Sequence, residues 1–382
     1  MIVNTFIPKY MEKFKCIRSE CTDTCCAGWD INIDENSLER YKNSTGALKS
    51  LVEGKFLTGD KKDDFFNAGY MILKDGSRCP FLNENMLCDI HGAVGEDNLC
   101  ITCKSYPRVF NIVDGIYEKS ALASCEEICR LALMNKEKME FVEAEEELDE
   151  DNIEIRRIID TEAFAGTESM IQYFWEMRIS SINIIQCREY SIEERLNILK
   201  GFYGEIEKLR LEDDFESIED IFDESTNGTL NYQKYLQESI KADKKFSFTI
   251  GDDNLIAMIR SPRLKKYAED YKNNILLNIE EEAFRDLSEK VDAILKENDY
   301  IVENYLVNQI FKDLIPFNKG EDMMASVNVL INTYKLIKEY LKGRIYKSKE
   351  RIMAEDVVSV IQAISKDLEH NKVLNKIINY KA

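Results

Sequence analysis

The stretch Cys16-Ile-Arg-Ser-Glu-Cys21-Thr-Asp-Thr-Cys25-Cys26 opens a segment, residues 16–129, that holds ten of the eleven cysteines of the chain. The other cysteines of this segment also come in closely spaced pairs, namely Cys79-x8-Cys88, Cys100-x2-Cys103 and Cys125-x3-Cys129. Thiolate is the form of cysteine that binds metals, and soft sulfur ligands favour zinc or iron–sulfur clusters. The density of thiols therefore predicts that metal ligation helps to shape the amino-terminal part of the fold.

Length and composition limit the classes of protein to consider. The chain has 382 residues, which is enough for two domains or one large one, and its 44% hydrophobic content is that of a folded protein. A net charge of −20 argues against binding to nucleic acid or to an anionic membrane surface. The acidic surface could attract a cationic protein segment that carries lysines, or it could serve solubility alone.

The amino-terminal sequence indicates the cellular compartment, because it lacks the features of a signal peptide. Residues 1–10 have neither the basic start nor the long apolar run of a signal peptide, and no stretch is apolar enough to span a bilayer. We therefore expect a cytoplasmic protein. Thiols stay reduced in the cytoplasm, so the cysteines indicate metal binding or catalysis rather than disulfides.

The distribution of apolar residues predicts a mainly α fold with two domains. Residues 1–142 are expected to form an irregular, cysteine-rich, metal-binding domain with a few short strands. Residues 152–382 are expected to form an α-helical, bundle-like domain, because apolar residues recur there at helical spacing. The acidic run 143–151 between them is expected to be a linker or a solvated helix end.

Local signals refine the predicted helices. Ser191-x-x-Glu194 predicts a capping box, and an apolar row that begins at Val302 is predicted to stop at Pro316. Residues 120–135 are also expected to be helical, which would place Cys125 and Cys129 one turn apart.

Spacing leaves the choice between zinc and an iron–sulfur cluster open. A zinc site usually takes two CxxC-type pairs, and only Cys100-x2-Cys103 has that form here. The irregular spacing of the other cysteines favours an iron–sulfur cluster, with a purely structural metal as the alternative. The C-x3-C-x2-C triplet of common radical S-adenosylmethionine enzymes is absent, and so are glycine-rich nucleotide-binding loops.

Three further polar residues near these motifs are candidates for a role at the site. Arg108 follows Cys103 closely and could bind a cofactor carboxylate or shield cluster charge, with a structural ion pair as the alternative. His91 could pair with Cys88 in a mixed cysteine–histidine site, although a structural role suits it better. His370 is expected to be solvated at the end of a polar helix.

Several motifs resemble the flagellin lysine-N-methylase family. Those in the amino-terminal part are Cys25-Cys26-Ala-Gly-Trp29-Asp-Ile-Asn-Ile-Asp34, Cys79-Pro-Phe-Leu82, Leu87-Cys88-Asp-Ile90 and Leu99-Cys-Ile-Thr-Cys103-Lys-Ser-Tyr-Pro-Arg108. Those in the helical part are Arg188-Glu-Tyr190, Glu194-Arg-Leu196 and Glu303-Asn-Tyr305-Leu-Val-Asn308. The resemblance thus extends over most of the chain.

The resemblance implies methyl transfer from S-adenosylmethionine to lysine side chains of flagellin, with an iron–sulfur cluster, or alternatively zinc, on the amino-terminal cysteines. Carried over position by position, it identifies eight candidate metal ligands: Cys16, Cys21, Cys25, Cys26, Cys79, Cys88, Cys103 and Cys125. The matching family positions of Cys100, Cys129 and His91 need not be cysteine or histidine, which makes these three weaker candidates.

The chemistry of the transfer stays open at this point. Polar transfer needs a neutral lysine amine, and hence a base or a desolvated pocket. Glu303 and Tyr305 are the candidate catalytic residues, with a polar network that packs helices as the alternative. Radical transfer would require the cluster to bind the donor. A non-enzymatic metal-binding interaction module and an electron-transfer protein are the two competing functions.

Overall fold

Helices make up most of the chain, which confirms the predicted mainly α class. The computed structural model describes residues 1–59, 64–236, 244–346 and 352–380. The α-helices are α1 (Glu35–Lys42), α2 (Gly46–Val52), α3 (Asp89–Val94), α4 (Ile101–Ser105), α5 (Glu126–Ile128), α6 (Phe174–Ile185), α7 (Ile192–Leu211), α8 (Phe215–Thr226), α9 (Lys244–Ile250), α10 (Asp253–Met258), α11 (Pro262–Tyr271), α12 (Glu281–Glu297), α13 (Asp299–Asp313), α14 (Met323–Tyr346), α15 (Ala354–Leu368) and α16 (Lys372–Tyr380).

Shorter helical turns lie between these helices. The 3₁₀ turns are Lys9–Lys13, Arg18–Glu20, Phe65–Asn67, Glu96–Asn98, Glu150–Asn152, Glu162–Phe164, Met170–Tyr173 and Tyr232–Tyr235, and the π turns are Cys129–Leu133 and Lys272–Leu276. The strands are β1 (Ile2–Pro8), β2 (Asn32–Ile33), β3 (Phe56–Thr58), β4 (Gly69–Met71), β5 (Arg108–Val113), β6 (Ile116–Ala121), β7 (Phe141–Glu147), β8 (Ile155–Ile159) and β9 (Asn318–Glu321).

A five-stranded mixed sheet, in the order β7-β1-β6-β5-β8, is larger than the few short strands that the sequence predicts. β1 runs antiparallel to β7 and parallel to β6, whereas β5 runs antiparallel to β6 and parallel to β8. Asp114 and Gly115 close the β5–β6 hairpin with φ of 49° and 76°, the left-handed conformation that a type I′ turn requires at both positions. A second sheet, β2-β4-β3, is small and antiparallel.

The acidic run forms most of an edge strand, so its prediction as a linker or helix end was wrong. In β7, Glu143, Glu145 and Glu147 are exposed and alternate with half-buried residues, as expected for a strand with one solvated face. All seven residues of β7 pair with β1, from Ile2 opposite Glu147 to Pro8 opposite Phe141. Pairing with a strand at the other end of the amino-terminal part overrides the local signal of the charges.

Helix ends follow the sequence signals more closely. The Ser191–Glu194 capping box is present at the start of α7, with Ser191 Oγ accepting from the Glu194 backbone and the Glu194 carboxylate accepting from the Ser191 backbone. The apolar row in α13 ends as predicted, because Leu314 adopts a left-handed conformation with φ of 54° just before Pro316. Nearly every residue of α13 is buried, so this helix runs through the centre of the helical part.

The helix predicted over residues 120–135 is shorter than expected. Ser120 and Ala121 end β6, and helical structure runs only from Glu126 through Leu133. Within it the Cys129 backbone N–H donates to the carbonyl of Cys125 at 3.0 Å, so the two cysteines do lie one turn apart.

Two hydrophobic cores form, and they do not follow the predicted division at residues 142–152. The larger core joins Ile7 of β1 and Val113 of β5 to the helices from α6 onward. The smaller core contains only residues between Ile31 and Cys100, with Cys79 and Cys100 among its buried members. We call residues 16–105 the cysteine lobe. Among the described helices, none combines the length and the apolar character needed to cross a membrane.

Candidate active site and cysteine groups

The loop that carries the first cysteines is anchored to α5. The backbone N–H groups of Thr22 and Asp23 donate to Glu126 Oε2 at 2.6 and 3.2 Å. These bonds bring Cys21 beside Cys125, which immediately precedes Glu126. The loop is also fixed to α15, because Lys366 Nζ lies 2.6 Å from Asp23 Oδ1 and contacts the carbonyl of Thr24 at 2.9 Å.

A first group of thiols comprises Cys16, Cys21, Cys25 and Cys125. Burial raises the pKa of Cys21 to about 12, with Cys125 and Cys16 as the next contributors. Burial likewise raises the pKa of Cys125 to about 11, and Cys16 adds to the shift. The pKa of Cys25 is raised by its contact with Cys26 and by burial, with smaller effects from Cys125 and Cys16. The four thiols are therefore close enough to act on one another electrostatically.

A second group comprises Cys26, Cys79, Cys88, Cys100 and Cys103, and it packs in the smaller core. The backbone N–H of Cys79 donates to the carbonyl of Cys26 at 2.8 Å, and that of Cys103 donates to the carbonyl of Cys100 at 3.0 Å. Burial raises the pKa of Cys79 to about 12, with further contributions from its neighbours in the group.

Cys25 and Cys26 join the two groups, with their sulfur atoms 4.0 Å apart. This contact lowers the pKa of Cys26 to about 7, and the ammonium group of Lys366 favours the thiolate in the same direction. Vicinal cysteines thus direct one thiol into each group. The eight predicted ligands divide four and four, and Cys100 accompanies the second set.

The arrangement of the thiols neither forms disulfides nor closes a metal site as it stands. All eleven cysteines are free. In the described ranges, which include every cysteine, no three Cys, His, Asp or Glu side chains are arranged to hold a metal ion. The chemistry of the donor set fits a thiolate-ligated metal, because soft sulfur atoms are concentrated in two small regions. Cys129 is fully buried and donates to the carbonyl of Ala123 at 2.9 Å, which suits a structural role.

A cavity of about 990 Å³ lies between the cysteine lobe, β8 and the helices α13 to α16, and no cysteine is among its lining residues. Its lining is polar and rich in cations, with Arg108, Arg156 and Lys312 among the basic residues and Asp313 and Glu369 among the acidic ones. In a chain with a net charge of −20, this basic lining is a local exception. The volume is in the range of pockets that bind small-molecule ligands.

An aromatic wall connects the cavity to the first thiol group. The rings of Trp29 and His370 stack with centroids 4.4 Å apart, and Trp29 Nε1 donates to the carbonyl of Cys25 at 2.7 Å. Ser124 Oγ lies 3.2 Å from the Tyr106 hydroxyl and 3.3 Å from His370 Nε2. Burial lowers the pKa of His370 to about 3, so the ring is neutral; it is not the solvated residue that the sequence predicts.

Two of the three predicted site residues that are not cysteines line the cavity. Arg108 and Tyr305 both line it, and the Tyr305 hydroxyl accepts from Ser365 Oγ at 3.2 Å. Glu303 is not among the described residues that line it. Its carboxylate instead accepts hydrogen bonds from Arg188 Nη2 and Arg195 Nη1, each at 2.8 Å. This is the environment expected of the helix-packing alternative.

Sequence reasoning missed most of the polar residues that line the cavity, among them Gln309, Lys312 and Glu369. Lys312 is 2% exposed, and its Nζ lies 2.8 Å from Asp313 Oδ1 and 3.6 Å from Glu369 Oε1. A signal was available for two of them, because Gln309 and Lys312 are polar residues among the apolar positions of α13. Glu369 follows α15 without any motif that sets it apart.

These features define a mainly α protein with a thiol-rich lobe beside a large polar cavity. The model of the family described as the FliB lysine N-methylase C-terminal domain matches residues 178–380, more than half of the chain. The chain therefore belongs to this family. No solved structure matches it.

Relatives extend the similarity into the amino-terminal part. The chain is 20% identical over 386 residues to a lysine-N-methylase of Salmonella typhimurium (strain LT2), an alignment that covers 97% of this chain and 92% of the relative. A lysine-N-methylase of Salmonella choleraesuis is 19% identical over the same shares of both chains. The flagellar biosynthetic protein FliU of Salmonella muenchen is 26% identical over 133 residues, which cover 35% of this chain and 78% of the relative.

Proposed function

We propose that this protein is a cytoplasmic lysine N-methyltransferase that acts on flagellin, with S-adenosylmethionine as methyl donor and an iron–sulfur cluster on its amino-terminal cysteines. Family membership and relatives named lysine-N-methylase over nearly the whole chain support the methyl transfer. The name of a third relative, a flagellar biosynthetic protein, supports flagellin as the substrate.

The observation that carries the proposal is the aromatic wall of Trp29 and Tyr106, which lines the cavity and contacts the loop of the first thiol group. The Trp29 and Tyr106 rings contact the cavity on one side, and Trp29 donates to the Cys25 carbonyl on the other. A donor held in the cavity would therefore lie close to Cys25 and Cys125. S-adenosylmethionine, when bound, would supply a methyl group on a sulfonium sulfur.

We assign the residues of the cavity to the two ligands by their chemistry. Arg108 would bind the carboxylate of the donor, because a guanidinium pairs with a carboxylate through two parallel hydrogen bonds. Trp29, which stacks on His370 and Tyr106, would form part of an aromatic wall for the adenine or the sulfonium group of the donor. Tyr305 would contact the acceptor amine from α13. A role of Glu303 as the base stays a prediction.

The proposed ligands of the metal are the eight cysteines named by the resemblance. Four of them, Cys16, Cys21, Cys25 and Cys125, form the group behind the aromatic wall, and the other four lie in the smaller core. Metal–thiolate bonds can contribute about 10 kcal/mol or more to folding.

The direct test is a methylation assay on protein purified without oxygen. We would add S-adenosylmethionine with an isotopically labelled methyl group and purified flagellin, and then locate the label by mass spectrometry. The proposal expects labelled methyl groups on lysine side chains and none when either the donor or the enzyme is omitted. Bound zinc without methyl transfer would instead favour the interaction module, and reversible reduction without methyl transfer would favour electron transfer.

A further inference from the structure

Two hydrogen-bond acceptors lie buried in the cavity without a donor. Gln309 Oε1 and Glu369 Oε2 have no hydrogen-bond partner of normal distance and angle among the described residues. Burial raises the pKa of Glu369, and the nearby Ser124 hydroxyl offsets only part of that shift. The residue Gln309 is 8% exposed, the side chain of Glu369 is 8% exposed, and both line the cavity. An unpaired buried acceptor costs about 1–3 kcal/mol, so two neighbouring ones indicate a ligand that donates to them.

The two acceptors belong to one arrangement. Gln309 Nε2 donates to Glu369 Oε1 at 3.5 Å, which fixes the orientation of the amide and leaves Gln309 Oε1 and Glu369 Oε2 free. The first residue lies on α13, and the second directly follows α15. Tyr305 lies one turn before Gln309 on α13 and lines the same cavity. A third unpaired acceptor, Asn318 Oδ1, lines the cavity from β9 and remains available to a second ligand.

Charges of both signs surround this acceptor pair. Lys312 Nζ lies 3.6 Å from Glu369 Oε1, and Arg156 lines the cavity nearby. Lys312 also pairs with Asp313 at 2.8 Å, so the group of charges is close to neutral before a ligand enters. Lys312 and Arg156 disfavour a further cation, whereas the carboxylates of Asp313 and Glu369 favour one. The site therefore suits a ligand that donates hydrogen bonds.

We propose that Gln309 Oε1 and Glu369 Oε2 bind the side-chain amine of the substrate lysine, each accepting one N–H group. In the neutral form that attacks a methyl donor, the amine has two N–H donors and one lone pair. With both donors held by the acceptor pair, the lone pair faces away from it, into the rest of the cavity. This inference rests on the proposed function, because it identifies the group that receives the substrate.

The test compares three peptides that share one flagellin sequence around a modified lysine. One carries the free lysine, the second carries trimethyl-lysine, which has no N–H donor, and the third carries norleucine. Binding to the full-length protein is measured without the methyl donor. We expect the free-lysine peptide to bind about tenfold more tightly than either of the others. Equal affinities for all three would overturn the inference.

Variants locate the effect on the acceptor pair. In Glu369→Gln, the N–H of Gln309 still requires an oxygen at the position of the former Oε1. The amide nitrogen of the new glutamine therefore takes the position of the former Oε2, where a donor replaces an acceptor. Gln309→Met removes the other acceptor at similar volume. Each change should lower kcat/KM for flagellin about five- to hundredfold and bring the affinities of the three peptides together. Unchanged values in both variants would contradict the assignment.

A matched control is Glu339→Gln. Glu339 is also a buried carboxylate beside a lysine, with Lys342 Nζ at 2.7 Å, but it is not among the residues that line the cavity. It should leave the preference among the peptides intact. If a cavity variant fails to fold, the comparison of the three peptides on the wild-type protein still tests the inference. A wild-type protein that transfers no methyl group would overturn the proposed function, whereas one that methylates flagellin without discriminating among the peptides would overturn only this inference.

Discussion

Replacing Glu303 by glutamine separates a structural role from a catalytic one. Glu303 is fully buried, and its two oxygens accept four hydrogen bonds, three from Arg188 and one from Arg195. Removing one partner of a buried ion pair costs about 3–5 kcal/mol, because the other charge is left uncompensated. Here Arg195 keeps Asp299 at 3.0 Å and the side chain of Arg188 is 35% exposed. We therefore expect a loss of about 3 kcal/mol in the free energy of unfolding, at the lower end of that range.

Urea denaturation followed by circular dichroism would measure this loss. Glu212→Gln is the control, because Glu212 and Lys208 form an exposed pair with 3.9 Å between their charged atoms. Its removal should change the free energy of unfolding by less than about 0.5 kcal/mol. If Glu303 is structural, the folded Glu303→Gln protein should keep a wild-type kcat at a temperature where it is stable. A variant as stable as the wild type but without activity would refute this reasoning and restore Glu303 as a catalytic base.

Three further predictions follow from the cysteine lobe and the aromatic wall. Cys25→Ser and Cys79→Ser should each lower the metal content of the purified protein. Cys187→Ser, outside the cysteine-rich segment, is the control and should leave the metal content unchanged. Equal metal content in all three variants would contradict the ligand assignment. Removal of the metal by an anaerobic chelator should make the described parts of residues 31–103 the first to be cut by trypsin while the helical circular dichroism signal persists, because proposed ligation by the second thiol group would stabilise the small core there. Simultaneous loss of both would show that the lobe and the helices unfold together. Trp29→Leu removes a ring whose centroid lies 4.4 Å from that of His370. It should weaken binding of the methyl donor about fivefold in a calorimetric titration. Unchanged affinity would count against the aromatic wall as part of the donor site.

The parts of the fold that were predictable depend on short-range signals. The capping box at Ser191 and the end of α13 before Pro316 are set by residues within a few positions of each other, and both were predicted correctly. The Asp114-Gly115 pair is an equally local hairpin signal, and it could have revealed β5 and β6.

The rest of the fold depends on pairing between distant segments. β7 is a strand because it pairs with β1, whose register joins residues 2–8 to residues 141–147. Neither stretch alternates strongly enough to stand out, and the charges of β7 suggest a solvated segment. Contacts across more than 130 residues leave no trace in the local sequence, so the five-stranded sheet could not be read from it.

The candidate site shows the same division. Arg108 and Tyr305 were named from motifs, and both line the cavity. His370 looked solvated because its immediate neighbours are polar, but the fold places it against Trp29, more than 300 residues away in the chain. Glu369 is distinguished only by burial and by its unpaired oxygen, and both properties arise from tertiary packing.

The central claim is that the amino-terminal thiols hold an inorganic centre beside the cavity, and metal analysis of the anaerobically purified protein tests it most directly. We expect iron and acid-labile sulfide in stoichiometric amounts, together with a low number of cysteines open to alkylation until the metal is removed. Protein that is folded, contains neither iron nor zinc, and has every thiol open to alkylation would contradict the account.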